Sequence, residues 1–156
     1  MPDITEFLDE PNIDELEDLI VPDGYWDGVI KGGKVKDVDA DDEPYIDKNG
    51  KPFFLVFIYI QCNEPAEGVD PALAETYLSG GGPDESLATY RGFMQGRNKT
   101  VRLTKLLKKL GVPTTGKSFR EIIKGLKGCD VPVKVLVEHE EYMDEIQANV
   151  TELLPV

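Results

Sequence analysis

The sequence predicts one domain of the α+β class that is mainly β, with five strands and with helices between the third and fourth strands. Two observations lead to this prediction. Residues 53–62 are almost continuously apolar and alternate in character, which is typical of a strand in a packed sheet. Residues 100–110 and 119–126 instead carry apolar side chains at helical spacing. A chain of 156 residues is long enough to bury a core without metals or disulfides.

The first 23 residues predict an acidic N-terminal arm, with the folded domain over residues 24–156. The arm carries nine acidic and no basic side chains, a charge of −9. Apolar residues are spaced through it, and those between Ile13 and Ile20 suit a short amphipathic helix. One interpretation is a flexible, solubilising arm. The other is an acidic and apolar peptide that docks on a partner or covers the protein's own basic groove.

The first two strands are predicted to be neighbours. Residues 25–38 have strand character on both sides of Gly32 and Gly33, a pair that permits a bulge or bend in one long strand. An acidic loop and a turn, residues 37–51, then lead to the second strand.

The second strand has two predicted faces. The aliphatic face, expected in the core, consists of Phe54, Val56, Ile58, Ile60 and Cys62. The opposite face is richer in aromatic residues, so it suits either a stacking platform for bases or a second buried layer. On that face, we expect Leu55 and Phe57 to be buried, and Phe53 and Tyr59 to be accessible.

The rest of the chain supplies three further strands. Residues 63–86 are rich in glycine and proline and predict a long mobile connection with a short helix around 72–78. A third strand follows at 87–95. After the two helices, residues 131–138 and 145–153 alternate as the strands of a closing hairpin.

Residues 111–118 match the phosphate-binding loop pattern G-x-x-x-x-G-K-[ST]. A functional loop of this kind joins a buried strand to a helix, whereas a cationic amphipathic helix precedes this one. A single hairpin follows, which is too little chain for the parallel sheet of such an NTPase. Ser118 and Glu121 are spaced as a capping box for the second helix. We therefore interpret the match as a helix connection.

The sequence predicts no metal, cofactor or catalytic site, and so no enzyme. Residues 37–41 begin like a calcium loop, but Asp42 stands where glycine is required and Lys48 where a bidentate glutamate belongs. A solvated acidic loop is the default, with a loosely held divalent ion as the alternative. The single histidine, His139, has no nucleophile at a recognisable spacing.

The longest apolar run is too short to cross a bilayer, and the N-terminus lacks the basic-then-apolar order of a signal peptide. We therefore expect a cytoplasmic protein with no membrane partner. Cys62 and Cys129 each adjoin an apolar run, which favours reduced, buried thiols over a disulfide.

Positive charge is concentrated in residues 91–134. This segment holds 12 basic and two acidic side chains, a charge of +10 in a chain whose net charge is −13. Such segregation is typical of a field directed at a polyanion, with nucleic acid as the first candidate. The alternative is that the lysines are the solvated faces of two surface helices.

Three strands, a helical excursion and a hairpin form the element order of a five-stranded OB-type barrel, which often binds single strands. The run LKGCDVPVKV at 126–135, followed by HEEY at 139–142 and by Asn149 and Val150, resembles the C-terminal hairpin of a known family. That family is the small phage-encoded OB-fold single-stranded DNA-binding proteins. Gly24 and Tyr25 at the first strand, and residues 106–111 at the helix end, add to a resemblance that spans residues 24–155.

The resemblance implies a non-catalytic protein that binds single-stranded DNA during replication, recombination or repair in a bacterial host. It also implies replication or recombination proteins as partners of the acidic arm. One feature departs from the pattern. Single-strand binders often carry an acidic, apolar-tipped tail at the C-terminus, whereas the acidic segment here is at the N-terminus.

The candidate nucleic-acid-binding residues are of two kinds. The stacking candidates are Tyr25, Trp26, Phe53, Tyr59, Tyr90 and Phe93. The candidates for phosphate contacts are Lys34, Lys36, Arg91, Arg97, Lys99, Arg102 and Lys105. The rival hypothesis is an acidic interaction module, or a nucleic-acid mimic that inhibits a DNA-binding protein; a small-molecule enzyme ranks third. The sequence leaves the oligomeric state open, a homo-oligomer included.

Overall fold

A computed structural model of the chain describes residues 19–142 and 144–156, in which five strands and four α-helices are formed. The strands are β1 (Gly24–Lys36), β2 (Phe54–Pro65), β3 (Ala88–Met94), β4 (Val131–Tyr142) and β5 (Glu145–Leu154). The helices are α1 (Pro71–Ser79), α2 (Gly82–Glu85), α3 (Arg97–Leu110) and α4 (Phe119–Lys124). The mainly β class is confirmed, and α3 and α4 lie between β3 and β4 as predicted.

The strands close into one sheet in the order β1-β2-β3-β5-β4, with β4 also paired to β1. All neighbours are antiparallel except β3 and β5, which pair in parallel at Thr89 with Asn149 and at Tyr90 with Val150. Closure leaves every strand with two neighbours, although β3 and β5 pair over two residues only.

The long strand β1 bends so that it can pair with two partners. Residues 24–30 pair with β4, while β2 lies along its other side to Lys36. The register with β2 shifts between Ile30 and Gly32, which confirms the predicted irregularity at the glycine pair. A Cβ atom on Gly33 would lie 2.8 Å from Leu126 Cδ1, so the segment after α4 packs too closely for a side chain there.

The interior of the closed sheet is apolar. Val56, Ile58, Ile60 and Cys62 are fully buried, which confirms these four residues of the predicted core face of β2. The fifth, Phe54, is only partly buried and packs against the core. Strands β1 and β4 complete this layer. Their fully buried members are Trp26, Ile30, Val133, Val135 and Val137.

The glycine- and proline-rich connection between β2 and β3 forms α1 and α2, and α1 confirms the predicted short helix. Tyr77 joins this segment to the core, because it is 2 % exposed and its ring lies 5.6 Å from that of Trp26 in an edge-on arrangement. The Tyr77 hydroxyl donates a hydrogen bond of 2.6 Å to the carbonyl of Ser86. The connection therefore carries a buried anchor of its own.

Helix α3 is amphipathic and buries Leu103, Leu107 and Leu110. It ends at Gly111, whose φ of 107° lies in the left-handed region that favours glycine. Helix α4 begins after Ser118, whose hydroxyl accepts a 3.2 Å hydrogen bond from a backbone N–H in the first turn, confirming the predicted cap. No helix of the described ranges has both the length and the apolar character needed to cross a membrane.

Residues 19–23, here called the strap, pack against the domain before β1 begins. Val21 and Pro22 are buried. The indole N–H of Trp26 donates a 2.9 Å hydrogen bond to the Pro22 carbonyl, and the His139 Nε2 atom lies 2.6 Å from the Val21 carbonyl oxygen. Residues 21 and 22 are therefore packed into the body of the domain.

A further hydrogen bond holds the C-terminal end of the strap, at Asp23. The backbone N–H of His139 donates a 2.6 Å hydrogen bond to the carboxylate of Asp23. His139, predicted to be a surface residue at a strand end, thus contacts the strap through both its backbone and its ring. The remainder of the predicted arm, residues 1–18, lies outside the described residues.

Candidate nucleic-acid interface

The outer surface of β1, β2 and β3 carries aromatic and basic side chains together. Directly opposed residues of paired strands point to the same side of a sheet. Phe57 lies between Lys34 on β1 and Arg91 on β3, and Leu55 lies between Lys36 and Phe93. We call this surface the sheet face. Its members are Lys34, Lys36, Phe53, Leu55, Phe57, Tyr59, Thr89, Arg91 and Phe93.

The aromatic side chains of the sheet face are half-buried rather than covered. Leu55 and Phe57 were expected to be buried, but both stay partly accessible, as do Phe53 and Tyr59. The alternation of β2 identified two faces, but hydrophobicity alone overestimated how well the outer one is covered. The sheet face therefore has accessible ring surface.

Arg91 places a positive charge in the middle of the sheet face. Its guanidinium carbon lies 5.6 Å from the centroid of the Phe57 ring, within the range of a cation–π contact. Its Nη2 atom donates a 3.3 Å hydrogen bond to Gln147 on β5. The two contacts orient the side chain, which remains exposed.

A row of three rings, two of them members of the sheet face, lies at its edge on the side of α3. The Tyr45 and Phe53 rings stack at 5.1 Å, and the Phe53 and Phe93 rings lie 4.6 Å apart at an angle of 36°. The ammonium group of Lys99 is 5.2 Å from the Phe93 centroid. Phe93 is still 42 % exposed, so part of this row is open to a ligand. Sequence reasoning missed Tyr45, because a single tyrosine in an acidic loop has no periodicity.

A groove of about 840 Å³ crosses the sheet face from β2 to β5. Phe57, Tyr59, Thr89 and Arg91 line it from β2 and β3. Gln147 and Asn149 line it from β5, and Leu19 and Ile20 line it from the strap. Acidic groups are also present, and these are Glu85, Asp144 and Glu145. The groove thus combines rings, amides and both signs of charge.

A second hollow of about 570 Å³ lies beside the ring row. Tyr45 and Phe53 contribute aromatic surface to it, and Arg97 and Thr100 line it from the first turn of α3. Arg97 is exposed and can meet a phosphate there. This places one more predicted phosphate contact beside the sheet face.

The basic groups of this surface are not used in ion pairs with the described residues. The ion pairs within that part of the chain join Lys31 to Asp130, Arg120 to Asp37 and His139 to Asp23. Five predicted phosphate contacts therefore keep their charge available to a ligand. They are Lys34, Lys36, Arg91, Arg97 and Lys99.

Two of the predicted stacking residues face the core instead. Trp26 is 0 % exposed, because its position on β1 directs it inward, and its N–H is bonded to Pro22. Tyr90 lies opposite Ile58 on the inner side of the sheet, where burial raises the pKa of its hydroxyl. Trp26 is therefore corrected to a core residue, since its ring cannot reach a base without opening the core. Tyr90 is partly buried and packs against the core, so it does not belong to the sheet face.

Tyr25 lies on the outer surface but away from the sheet face, next to β4. Its hydroxyl donates a 3.2 Å hydrogen bond to Glu152, and this bond and the charge of Glu152 raise the pKa of Tyr25. Glu67 and Glu138 act in the same direction through their charges. The ammonium group of Lys134 also lies 5.7 Å from the Tyr25 ring, so both signs of charge are present there. Its position next to β4 therefore separates Tyr25 from the other candidates.

Arg102 and Lys105 are exposed on α3, one and two turns beyond Lys99. They extend the basic surface along the helix rather than across the strands. Of the 13 candidates, six lie on the sheet face and Arg97 and Lys99 border it.

The phosphate-loop match at residues 111–118 connects α3 to α4, so it joins two helices rather than a strand and a helix. Gly111 caps one helix and Ser118 caps the other. Across residues 19–142 and 144–156, no group of three or more His, Cys, Asp or Glu side chains is arranged to hold a metal ion.

A comparison of the sequence with protein-family models and with curated proteins finds no match in either. The functional assignment therefore depends on the chemistry of the sheet face and its surroundings.

Proposed function

We propose that the protein is a non-catalytic single-stranded DNA-binding protein built on an OB-type barrel. The strand order β1-β2-β3-β5-β4, with parallel pairing of β3 and β5 and helices before β4, supports the OB-type assignment. In such barrels the second and third strands carry the ligand. In this chain those strands carry most of the sheet face.

The observation that carries the proposal is the alternation of rings and cations across three strands. Phe57 lies between Lys34 and Arg91, and Phe93 lies beneath Lys99. Bases stack on accessible rings, each contributing about 1 to 3 kcal/mol, while nearby cations contact the phosphates that link them. The spacing of the two kinds of group thus suits a polyanion with flat side groups.

This chemistry favours single strands over duplexes. In a duplex the faces of the bases are already stacked on one another, so rings on an open sheet have little base surface to contact. A single strand exposes those faces along its length. The role that follows is the coverage of single strands during replication, recombination or repair, in the cytoplasm of a bacterial host if the gene is carried by a phage.

The direct test is fluorescence anisotropy of labelled oligo-dT at several salt concentrations, with unlabelled single strands and duplex as competitors. The label belongs on the DNA, because the buried Trp26 is a poor reporter of a ligand on the sheet face. We expect saturable binding that weakens as salt rises, with a log–log slope of about −0.7 per phosphate contacted. Equal competition by duplex, or no binding at low salt, overturns the proposal.

The rival class is an acidic interaction module or nucleic-acid mimic. One observation favours it: the hairpin of β4 and β5 exposes a cluster of carboxylates in a chain of net charge −13. The cluster consists of Glu138, Glu140, Glu141, Asp144 and Glu145. Failure to retain the protein on a single-stranded DNA column in low salt, together with capture by an immobilised DNA-binding protein, shifts the assignment to this class.

A further inference from the structure

The N-terminal end of the strap, at Leu19 and Ile20, lies in the groove. Val21 and Pro22 are buried, and the chain before them continues through Ile20 and Leu19, which line the groove with Phe57 and Tyr59. Leu19 also packs against Gly80, where a Cβ atom would lie 2.9 Å from Leu19 Cδ1. Residues 1–18 are therefore tethered at the groove, directly beside the rings of the sheet face.

The charge of the tethered segment is opposite to that of the sheet face. Residues 1–18 hold eight acidic and no basic side chains. Arg91 lies in the groove, and Lys34 is opposite Phe57 on the neighbouring strand. Opposite charges held close together attract at low salt, and the attraction decreases as salt screens it.

The groove also sets a direction for the segment. Glu85, Asp144 and Glu145 line part of it, and like charges there oppose a second acidic chain. Arg91, Lys34 and Lys99 favour the opposite course, across β3, β2 and β1 toward α3. Length does not limit this course, because 18 extended residues span up to about 60 Å and neighbouring strands are about 5 Å apart.

The segment also has apolar side chains to place on the accessible rings. Phe7, Leu8, Ile13 and Leu16 are spaced among its carboxylates. A peptide with this composition matches a surface of half-buried rings bordered by cations. Because it is tethered, its effective concentration at the groove is about millimolar, so a weak contact is sufficient for occupancy.

We propose that the sheet face, from its part of the groove at Phe57 and Arg91 toward α3, is the docking site of the chain's own residues 1–18, and that this segment competes with single-stranded DNA. The competition rests on the proposed function, whereas the docking does not. At low salt the segment covers the rings and cations, and a strand of DNA long enough to contact several of them displaces it. The contact thus raises the concentration that short or weakly binding polyanions need to occupy the sheet face.

Docking is tested first without DNA, in the full-length chain. A nitroxide is attached at Thr5→Cys in a Cys129→Ser background, while Cys62 stays unlabelled because it is fully buried. We expect the NMR signals of Phe57, Tyr59 and Arg91 to broaden and those near Tyr25 to remain sharp. Uniform broadening, or none on the sheet face, overturns the docking proposal.

Two charge-matched variants separate docking from net charge. The arm variant carries Asp9→Asn, Glu10→Gln, Asp14→Asn and Glu15→Gln. The control variant carries Glu64→Gln, Glu67→Gln, Glu138→Gln and Glu152→Gln, all exposed residues outside the groove lining. We expect the arm variant to lose most of the broadening and to bind oligo-dT about tenfold more tightly than the control at low salt. Equal behaviour of the two variants overturns the proposal.

The two proposals fail in different ways. If oligo-dT binds and removes the broadening, both stand, because DNA and the segment then share a surface. If the broadening occurs but no variant binds DNA, the docking stands and the proposed function fails. If DNA binds with no broadening of the sheet-face signals beforehand, the proposed function stands and the docking fails.

Discussion

The guanidinium carbon of Arg91 on β3 lies 5.6 Å from the centre of the ring of Phe57 on the neighbouring strand β2. The pair joins the two chemistries of the sheet face in one place, since a base that contacts the ring lies within reach of the charge. Gln147 accepts a hydrogen bond from the same guanidinium and holds it from β5. The parallel pairing of β3 and β5 makes this second contact of Arg91 available.

Loss of a sheet-face ring should weaken binding of single-stranded DNA. We expect Phe57→Ala and Phe93→Ala each to lower the affinity for oligo-dT by about 5- to 150-fold, corresponding to about 1 to 3 kcal/mol per stacked base. Anisotropy titrations at one low salt concentration measure the change. Tyr25→Ala is the matched control, because this ring lies beside β4, outside the sheet face. An equal loss in the control contradicts the placement of the site.

Removal of sheet-face cations should reduce the salt dependence of binding. We expect the double substitution Lys34→Gln with Lys36→Gln to make the log–log slope shallower by about 1.4, since each lost phosphate contact accounts for about 0.7. Lys117→Gln with Lys127→Gln removes the same charge from exposed positions outside the sheet face. A similar change in slope for both pairs indicates a general charge effect and no defined phosphate track.

Trp26 should affect stability and not DNA affinity. In Trp26→Phe, the buried Pro22 carbonyl loses its 2.9 Å hydrogen bond, so we expect the free energy of unfolding to decrease by about 1 to 3 kcal/mol. Urea denaturation followed by circular dichroism measures this decrease. Tyr25→Phe, which removes an exposed hydrogen bond, should cost less than about 1 kcal/mol. If the correctly folded Trp26→Phe variant binds DNA more weakly, this prediction is wrong and Trp26 belongs to the interface.

The protein should lose stability in alkaline solution. Burial raises the pKa of the Cys62 thiol to about 12, from an ordinary value of 9.0. Above pH 9 the unfolded chain therefore releases this proton before the folded chain does, and the free energy of unfolding decreases between about pH 9 and pH 12. Burial raises the pKa of Tyr77 and Tyr90 in the same direction.

The contribution of Cys62 can be separated by substitution. We expect Cys62→Ala to reduce the alkaline slope by up to about 1.4 kcal/mol per pH unit, the value for one proton. Urea denaturation at pH 8, 9 and 10 measures the slope. Cys129→Ala, which removes a thiol that is not fully buried, is the control. An unchanged slope in Cys62→Ala assigns the effect to the tyrosines.

The sequence by itself determined which elements form and which residues share a face. The uninterrupted alternation of β2 identified Val56, Ile58 and Ile60 as core, and helical spacing with caps identified α3 and α4. These properties follow from the period of two residues in strands and of 3.6 residues in helices. Both periods depend only on neighbours along the chain. The cationic side chains of β1, β3 and α3 were identified in the same way.

Only the tertiary structure decided which of these residues meet. Trp26 and Tyr25 are adjacent on β1, and both are aromatic, so alternation could not tell which one faces the core. The pairing of β3 with β5 brings Gln147 beside Arg91 from 56 residues away. The strap places Leu19 at the groove in the same manner. Each contact joins residues that are far apart along the chain. Closure of the sheet sets the distance between them, and a local periodicity of the sequence cannot predict it.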